Sequence, residues 1–113
     1  MTPKQRDIVL VPVPFTDLTA TKRRPVLVLS NDAYNRRAED VVVAAVTSQL
    51  TREEYAIRIS QGDLQEGLLP RESLVRADKI YALSKTILIK RFGALKRETF
   101  LEVLAQIDRL WGR

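Results

Sequence analysis

Arg76 and Asp78 stand two residues apart in the run Leu74-Val75-Arg76-Ala77-Asp78-Lys79-Ile80. On an extended strand, positions i and i+2 point to the same face, so the guanidinium and the carboxylate would sit side by side. Such a pair is either an ordinary ion pair or half of an active site. A carboxylate can take up a proton, and an arginine beside it keeps it ionised while offering a forked donor matched to phosphate oxygens. Few other side chains are available for acid and base chemistry, because the chain has no histidine and no cysteine. That composition excludes a disulfide framework, the usual zinc sites and Ser-His or Cys-His nucleophiles. Hydrolytic chemistry would have to run on Asp, Glu, Arg, Lys, Ser, Thr or Tyr.

Two further polar groups lie where strands are expected to meet loops: Lys22-Arg23-Arg24-Pro25 and Thr47-Ser48-Gln49. Each has a structural explanation by itself. Proline fixes a strand start, Thr and Ser cap loops through local backbone hydrogen bonds, and an exposed Arg-Asp pair contributes only about 0–1 kcal/mol. The functional reading is that all three groups converge on one phosphodiester. Cleaving RNA through its own ribose needs a base for the 2′-hydroxyl, donors for the charge growing on the phosphoryl oxygens, and a proton for the leaving 5′-oxygen. Asp78 is the available base, Arg76 and Arg24 suit the charged oxygens, and the hydroxyls of Thr47 and Ser48 could orient the phosphate or donate to it. This route activates no water, so it demands neither metal nor cofactor. A metal-dependent nuclease would show several carboxylates converging on a cation, and Asp78 has no close acidic companion in sequence.

The elements that must position these groups are read from hydrophobic periodicity. Short runs rich in Val and Ile, separated by turn residues, predict strands over 7–13, 24–29, 40–46, 55–59, 73–78 and 87–92. Pro12 and Pro14 mark the end of the first strand or an edge. Residues 16–23 form a long polar connection, Asn31 to Asn35 a single helical turn capped by Ser30 or Asn31, and 60–71 a loop punctuated by Gly62, Gly67 and Pro70. Phe100, Val103, Leu104, Ile107, Leu110 and Trp111 recur at helical spacing, and Thr99 with Glu102 fits a capping box, though the helix could begin a turn earlier. The expected architecture is one domain over residues 1–113, mainly β: a small, strongly bent sheet or open barrel closed by a C-terminal helix.

With 113 residues and 45% hydrophobic content, a single compact core needs no staples. The net charge of +5 and pI near 9.9 favour an anionic partner. Basic residues cluster at Lys22-Arg23-Arg24, Arg36-Arg37, Lys85, Lys90-Arg91 and Lys96-Arg97. No stretch approaches the roughly 20 apolar residues that span a bilayer, and residues 1–7 lack a secretory signal's apolar segment, so the cytoplasm is the expected location.

Pro14-Phe15-Thr16-Asp17, the run from Lys22 to Ser30, Val46-Thr47-Ser48-Gln49 and the run from Leu74 to Ile80 together resemble the MazF/PemK family, the toxin component of type II toxin-antitoxin systems. The resemblance implies an SH3-like barrel with a C-terminal helix, assembled as a homodimer and acting as a metal-independent, sequence-selective endoribonuclease on single-stranded RNA. It places Arg24, Thr47, Ser48, Arg76 and Asp78 at catalytic positions, with Asp78 as base. Arg76 is better suited to stabilising the transition state than to donating a proton, because guanidinium ions hold their protons tightly. Asp17, Lys22, Arg23, Gln49 and Lys79 are the expected RNA contacts. A cognate antitoxin with a flexible acidic tail is the other implied partner, competing with RNA for one groove; no membrane partner is implied. Two departures stand out: many members have a glycine where this chain has Arg6, and some have a histidine in the first long loop. The alternatives are a binding toxin like the similarly folded CcdB family, which poisons DNA gyrase, and a plain RNA-binding barrel. Few aromatics are available to stack bases, with Phe15, Tyr34, Tyr55 and Tyr81 the exposed candidates, so a pure stacking platform is poorly supported.

Overall fold

The structure is a computed structural model that describes residues 2–13, 22–51 and 54–113. The described residues form strands β1 (Asp7–Val13), β2 (Lys22–Val28), β3 (Asp40–Thr47), β4 (Ala56–Ile59), β5 (Leu64–Gly67), β6 (Ser73–Ser84) and β7 (Lys90–Leu95). Helix α1 covers Asp32–Arg37 and α2 covers Arg97–Leu110, with short 3-10 turns at Gln61–Asp63 and Lys85–Ile87. All seven strands join one antiparallel sheet in the order β4-β6-β3-β2-β1-β7-β5.

The central strands are valine-rich without a clean polar alternation because both of their faces are buried. Ile8, Leu27, Ala44, Val75 and Leu95 turn inward to meet Phe100, Val103 and Ile107 of α2. Val9, Val11, Val26, Val28, Val41 and Val43 face the other way, under Leu83 and Ile87. Each fully buried aliphatic side chain contributes on the order of 1.5–3 kcal/mol. Every strand supplies at least one residue to the first cluster, so the sheet curls around it as a half-barrel and α2 closes the open side.

Several elements differ from the sequence expectation. The segment expected as a loop over 60–71 contains a 3-10 turn and β5. In β5, the backbone of Gly67 passes so close to β7 that an added Cβ would lie 2.2 Å from the Phe92 carbonyl oxygen. The last strand runs over Lys90–Leu95 rather than 87–92, because Ile87 is used in the 3-10 turn that covers the outer valines. Helix α2 begins at Arg97 with Lys96 as its cap, and the expected capping box at Thr99 is absent. The Thr99 hydroxyl instead donates to Asp63 at 3.0 Å, fastening α2 to the turn before β5. Trp111, assigned to the helical stripe, is 63% exposed. Asn31, one of the two expected caps, accepts from the Tyr34 amide at 2.8 Å.

Pro12 lies within β1 rather than ending it. Among the described residues, pairing of β1 with β7 stops at Leu10, so beyond that point a missing N–H on that side costs no bond to β7. Pro14 lies outside the described residues. Arg6 adopts φ +80°, a left-handed conformation that favours glycine, which gives a physical reason for the glycine common at this point of the family pattern. Arg6 leads into Asp7, a buried carboxylate that accepts from Arg91 Nε and the Lys4 amide, both at 2.9 Å.

Candidate active site

Strand β6 carries the chemistry because its pairing with β3 is interrupted. Ala45 pairs with Arg76 and Ala44 pairs with Ile80, which leaves Ala77, Asp78 and Lys79 without partners on β3. Ala77 is buried and Ile80 packs against the same inner cluster, so Asp78 and Lys79 are both left outside it. On the other edge, the Ala77 amide donates to the Tyr55 carbonyl at 2.8 Å and anchors the kink. Bulges of this kind re-aim side chains beside functional sites.

At the kink, Arg76 Nε donates to Asp78 Oδ1 and Nη2 donates to Oδ2, both at 2.9 Å. The side chains are only 17% and 29% exposed, so the pair is partly shielded from water. The Arg76 hydrogen bonds hold Asp78 below the usual carboxylate range; the charges of Arg76 and Lys79 add to this, against the opposing cost of desolvation. Asp78 is therefore ionised at neutral pH. A carboxylate has about four acceptor directions, and Arg76 uses two of them.

Beside this pair lies a cleft of about 240 Å³ lined by Arg24, Thr47, Gln49, Arg76, Lys79 and Tyr81 among others. Strand register explains the grouping. Val26 and Arg76 both pair with Ala45, and directly paired residues share a face of a sheet. Moving two places along β2 and β3 keeps the same face, which brings in Arg24 and Thr47. The small Ala45 side chain lies between them and forms the floor.

The structure thus gathers Arg24, Thr47, Gln49, Arg76 and Lys79 around one cleft, with Asp78 bonded to its rim through Arg76. It does not gather Ser48. That residue lines an adjoining cleft of about 300 Å³ with Leu69, Pro70, Arg71 and Phe92; Arg24 borders both spaces. Each of the three expected groups thus supplies a residue to the first cleft, while Ser48, in the bend that follows β3, lines the adjoining one. Lys22 and Arg23 are exposed on β2 and line neither cleft. Asp17 lies outside the described residues, as does Phe15. Of the remaining aromatics, Tyr81 lines the first cleft, whereas Tyr34 lies on α1 and the Tyr55 ring is covered by the Arg109 guanidinium at 5.2 Å. Thr51 and Tyr81 are cleft residues that motif spacing did not assign to the site.

A helix-closed half-barrel with a cationic cleft beside an ionised carboxylate defines a small barrel suited to an extended anionic chain. Comparison with known proteins is more specific. The profile of the PemK-like, MazF-like toxins of type II toxin-antitoxin systems matches residues 4–111, and the chain belongs to that family. It is 36% identical over 86 residues to Endoribonuclease MazF6 of Mycobacterium tuberculosis, covering 73% of this chain and 72% of the relative. Endoribonuclease MazF2 of Mycobacterium bovis matches to the same extent. Among solved structures, a mycobacterial endoribonuclease in complex with its cognate antitoxin superposes with a TM-score of 0.80 at 22% identity, over 97% of this chain and 95% of that one. A MazE-MazF structure from Deinococcus radiodurans also gives 0.80, at 23% identity over 99% and 98%. These likenesses establish the SH3-like half-barrel with its C-terminal helix. Among the described residues, no helix is long and apolar enough to cross a membrane.

Proposed function

We infer that this toxin-family chain is an endoribonuclease that cuts single-stranded RNA at a preferred sequence without a metal, leaving a 2′,3′-cyclic phosphate and a 5′-hydroxyl. The observation that carries the reading is the two-pronged Arg76–Asp78 pair at the edge of a cationic cleft. Asp78, ionised and with acceptor capacity remaining, takes the proton of the 2′-hydroxyl. The 2′-oxygen then attacks the adjacent phosphorus. Arg76 and Arg24 stabilise the charge that develops on the phosphoryl oxygens, and Thr47 orients them. Gln49 and Lys79 hold the flanking strand, and Ser48, in the adjoining cleft, contacts the next nucleotide. Electrostatic preorganisation of this type is commonly worth about 10²–10³ in rate per donor.

The same reading makes the protein a cytoplasmic homodimer, neutralised by an antitoxin whose acidic tail occupies the RNA groove. Exposed Trp111 offers apolar surface for a subunit contact. The antitoxin bound to a structural neighbour supports the antitoxin assignment.

The test is to incubate purified protein, free of antitoxin, with long unstructured RNAs in excess EDTA and to map the new ends. Recurrent cuts bearing 2′,3′-cyclic phosphates are expected. Intact RNA would move the reading to a toxin that acts by binding, with DNA gyrase the next target to try. A second expectation concerns the cleft floor. Ala45→Leu projects into open space, so the melting temperature should change little. Cleavage should nevertheless fall about 100-fold, because displacing a bound phosphate by about 1 Å has that effect. Undiminished cleavage in this variant would place the scissile phosphate elsewhere.

A further inference from the structure

We propose that Tyr81 is the general acid that protonates the leaving 5′-oxygen, an assignment that rests on the endoribonuclease reading. Cleavage needs a proton on that oxygen, and the chain has no histidine to supply it. Arg76 is unsuited to the task because guanidinium groups hold their protons far more tightly than phenols do.

The kink in β6 brings the phenol to the cleft. Tyr81 pairs with Val43, and Arg76 pairs with Ala45 two residues further along β3. Their backbones are therefore neighbours on one face, separated by roughly 7 Å along the sheet even though five positions separate them in sequence. An unbroken strand would put residues 76 and 81 on opposite faces, because their separation is odd. The extra residues at the kink reverse that parity, and both side chains line the same cleft as Thr47. Tyr81 is 37% exposed. Lys79 lines the cleft too, but it belongs to the bulged segment outside the β3 ladder and has a long flexible stem. Tyr81 is fixed on a paired strand, as directed proton transfer requires.

The step balances as follows. The 2′-oxygen forms a bond to phosphorus as its proton passes to Asp78, and the bond from phosphorus to the 5′-oxygen breaks. The Tyr81 hydroxyl proton passes to that departing oxygen, giving the 5′-hydroxyl product. The phenolate left behind is held by the positive charges of Arg76 and Lys79. It regains a proton from solvent as Asp78 loses one, which restores the site.

The test compares an oligoribonucleotide spanning a mapped cleavage site with the same oligomer carrying sulfur in place of the bridging 5′-oxygen. A thiolate leaves without protonation, so the sulfur substrate removes the need for an acid. Tyr81→Phe removes only one oxygen from a partly exposed ring. It should slow cleavage of the oxygen substrate by about 10²–10⁴-fold and cleavage of the sulfur substrate by less than about 10-fold. Lys79→Ala should slow both substrates alike. Tyr81→Phe with undiminished activity on the oxygen substrate, or with equal losses on both, overturns the proposal. Selective rescue of Lys79→Ala by sulfur also overturns it, because the proton then comes from Lys79. Wild-type protein that cuts no RNA, so that no site can be mapped, overturns the endoribonuclease reading, and this assignment with it.

Discussion

Asp78→Asn should lower the single-turnover rate of RNA cleavage by about 10⁴-fold, the upper end of what a positioned base supplies. The variant should hold RNA at least as tightly as the wild type. Asparagine keeps the shape of the side chain, but its amide cannot take the 2′-hydroxyl proton. It also removes a negative charge from a cleft meant for phosphates, which favours binding. Rapid-quench cleavage assays and filter binding separate the two effects. Full activity in the variant would remove Asp78 from the mechanism. The wild-type pH profile carries a related signature. Arg76 lowers the folded-state pKa of Asp78, so the base stays ionised, and the rate is sustained, until the pH falls below the ordinary carboxylate range. The same sign holds for stability. The pair's contribution is complete above the unfolded carboxylate value of about 3.9 and is lost as pH falls through the lower folded value. Because the pair is partly exposed, that contribution is about 1 kcal/mol at most. Loss of activity in Asp78→Asn would therefore not be loss of fold.

The strands that periodicity finds are those whose side chains alone determine their burial. The limits of β1 coincide with the expected run, and those of β3 extend it by one residue, since an uninterrupted valine run between polar residues can be buried on both faces. Strand β5 left no such mark. Of Leu64, Gln65, Glu66 and Gly67, one side chain is buried, and the segment is a strand because Gly67 and Gly93 let two backbones approach. Thr99 has the composition of a cap, yet its hydroxyl is used by Asp63, a partner 36 residues away. At the site, alternation along a strand predicts the Arg76–Asp78 pair. Thr47 and Ser48 line different clefts because β3 ends at Thr47 and the chain bends at Ser48, a boundary that treating adjacent hydroxyls as a unit passes over. The placement of Tyr81 was not legible at all. It depends on the number of residues skipped at the kink, and that number is set by the inward packing of both Ala77 and Ile80.

Arg76→Ala should reduce cleavage by about 10²–10³-fold by removing a donor from the developing phosphoryl charge. It should also move the acid limb of the pH profile upward. Without the two hydrogen bonds from Arg76, Asp78 loses the largest cause of its lowered pKa and returns toward the ordinary carboxylate value. Arg76→Lys should restore little of the rate. An ammonium is a point charge that cannot grip both oxygens of Asp78 while facing a phosphate along a second edge. The double variant Arg76→Ala/Asp78→Asn gives the sharper measurement. If the two residues act as a unit, the double variant will be hardly slower than Asp78→Asn alone, because an arginine aligned by a missing base has little left to contribute. Multiplication of the two single losses would instead show that each acts independently on the substrate. An acid limb that stays in place in Arg76→Ala would assign that limb to another group. Together with an intact melting curve, it would reduce the Arg76–Asp78 bond to an ion pair that happens to border the cleft.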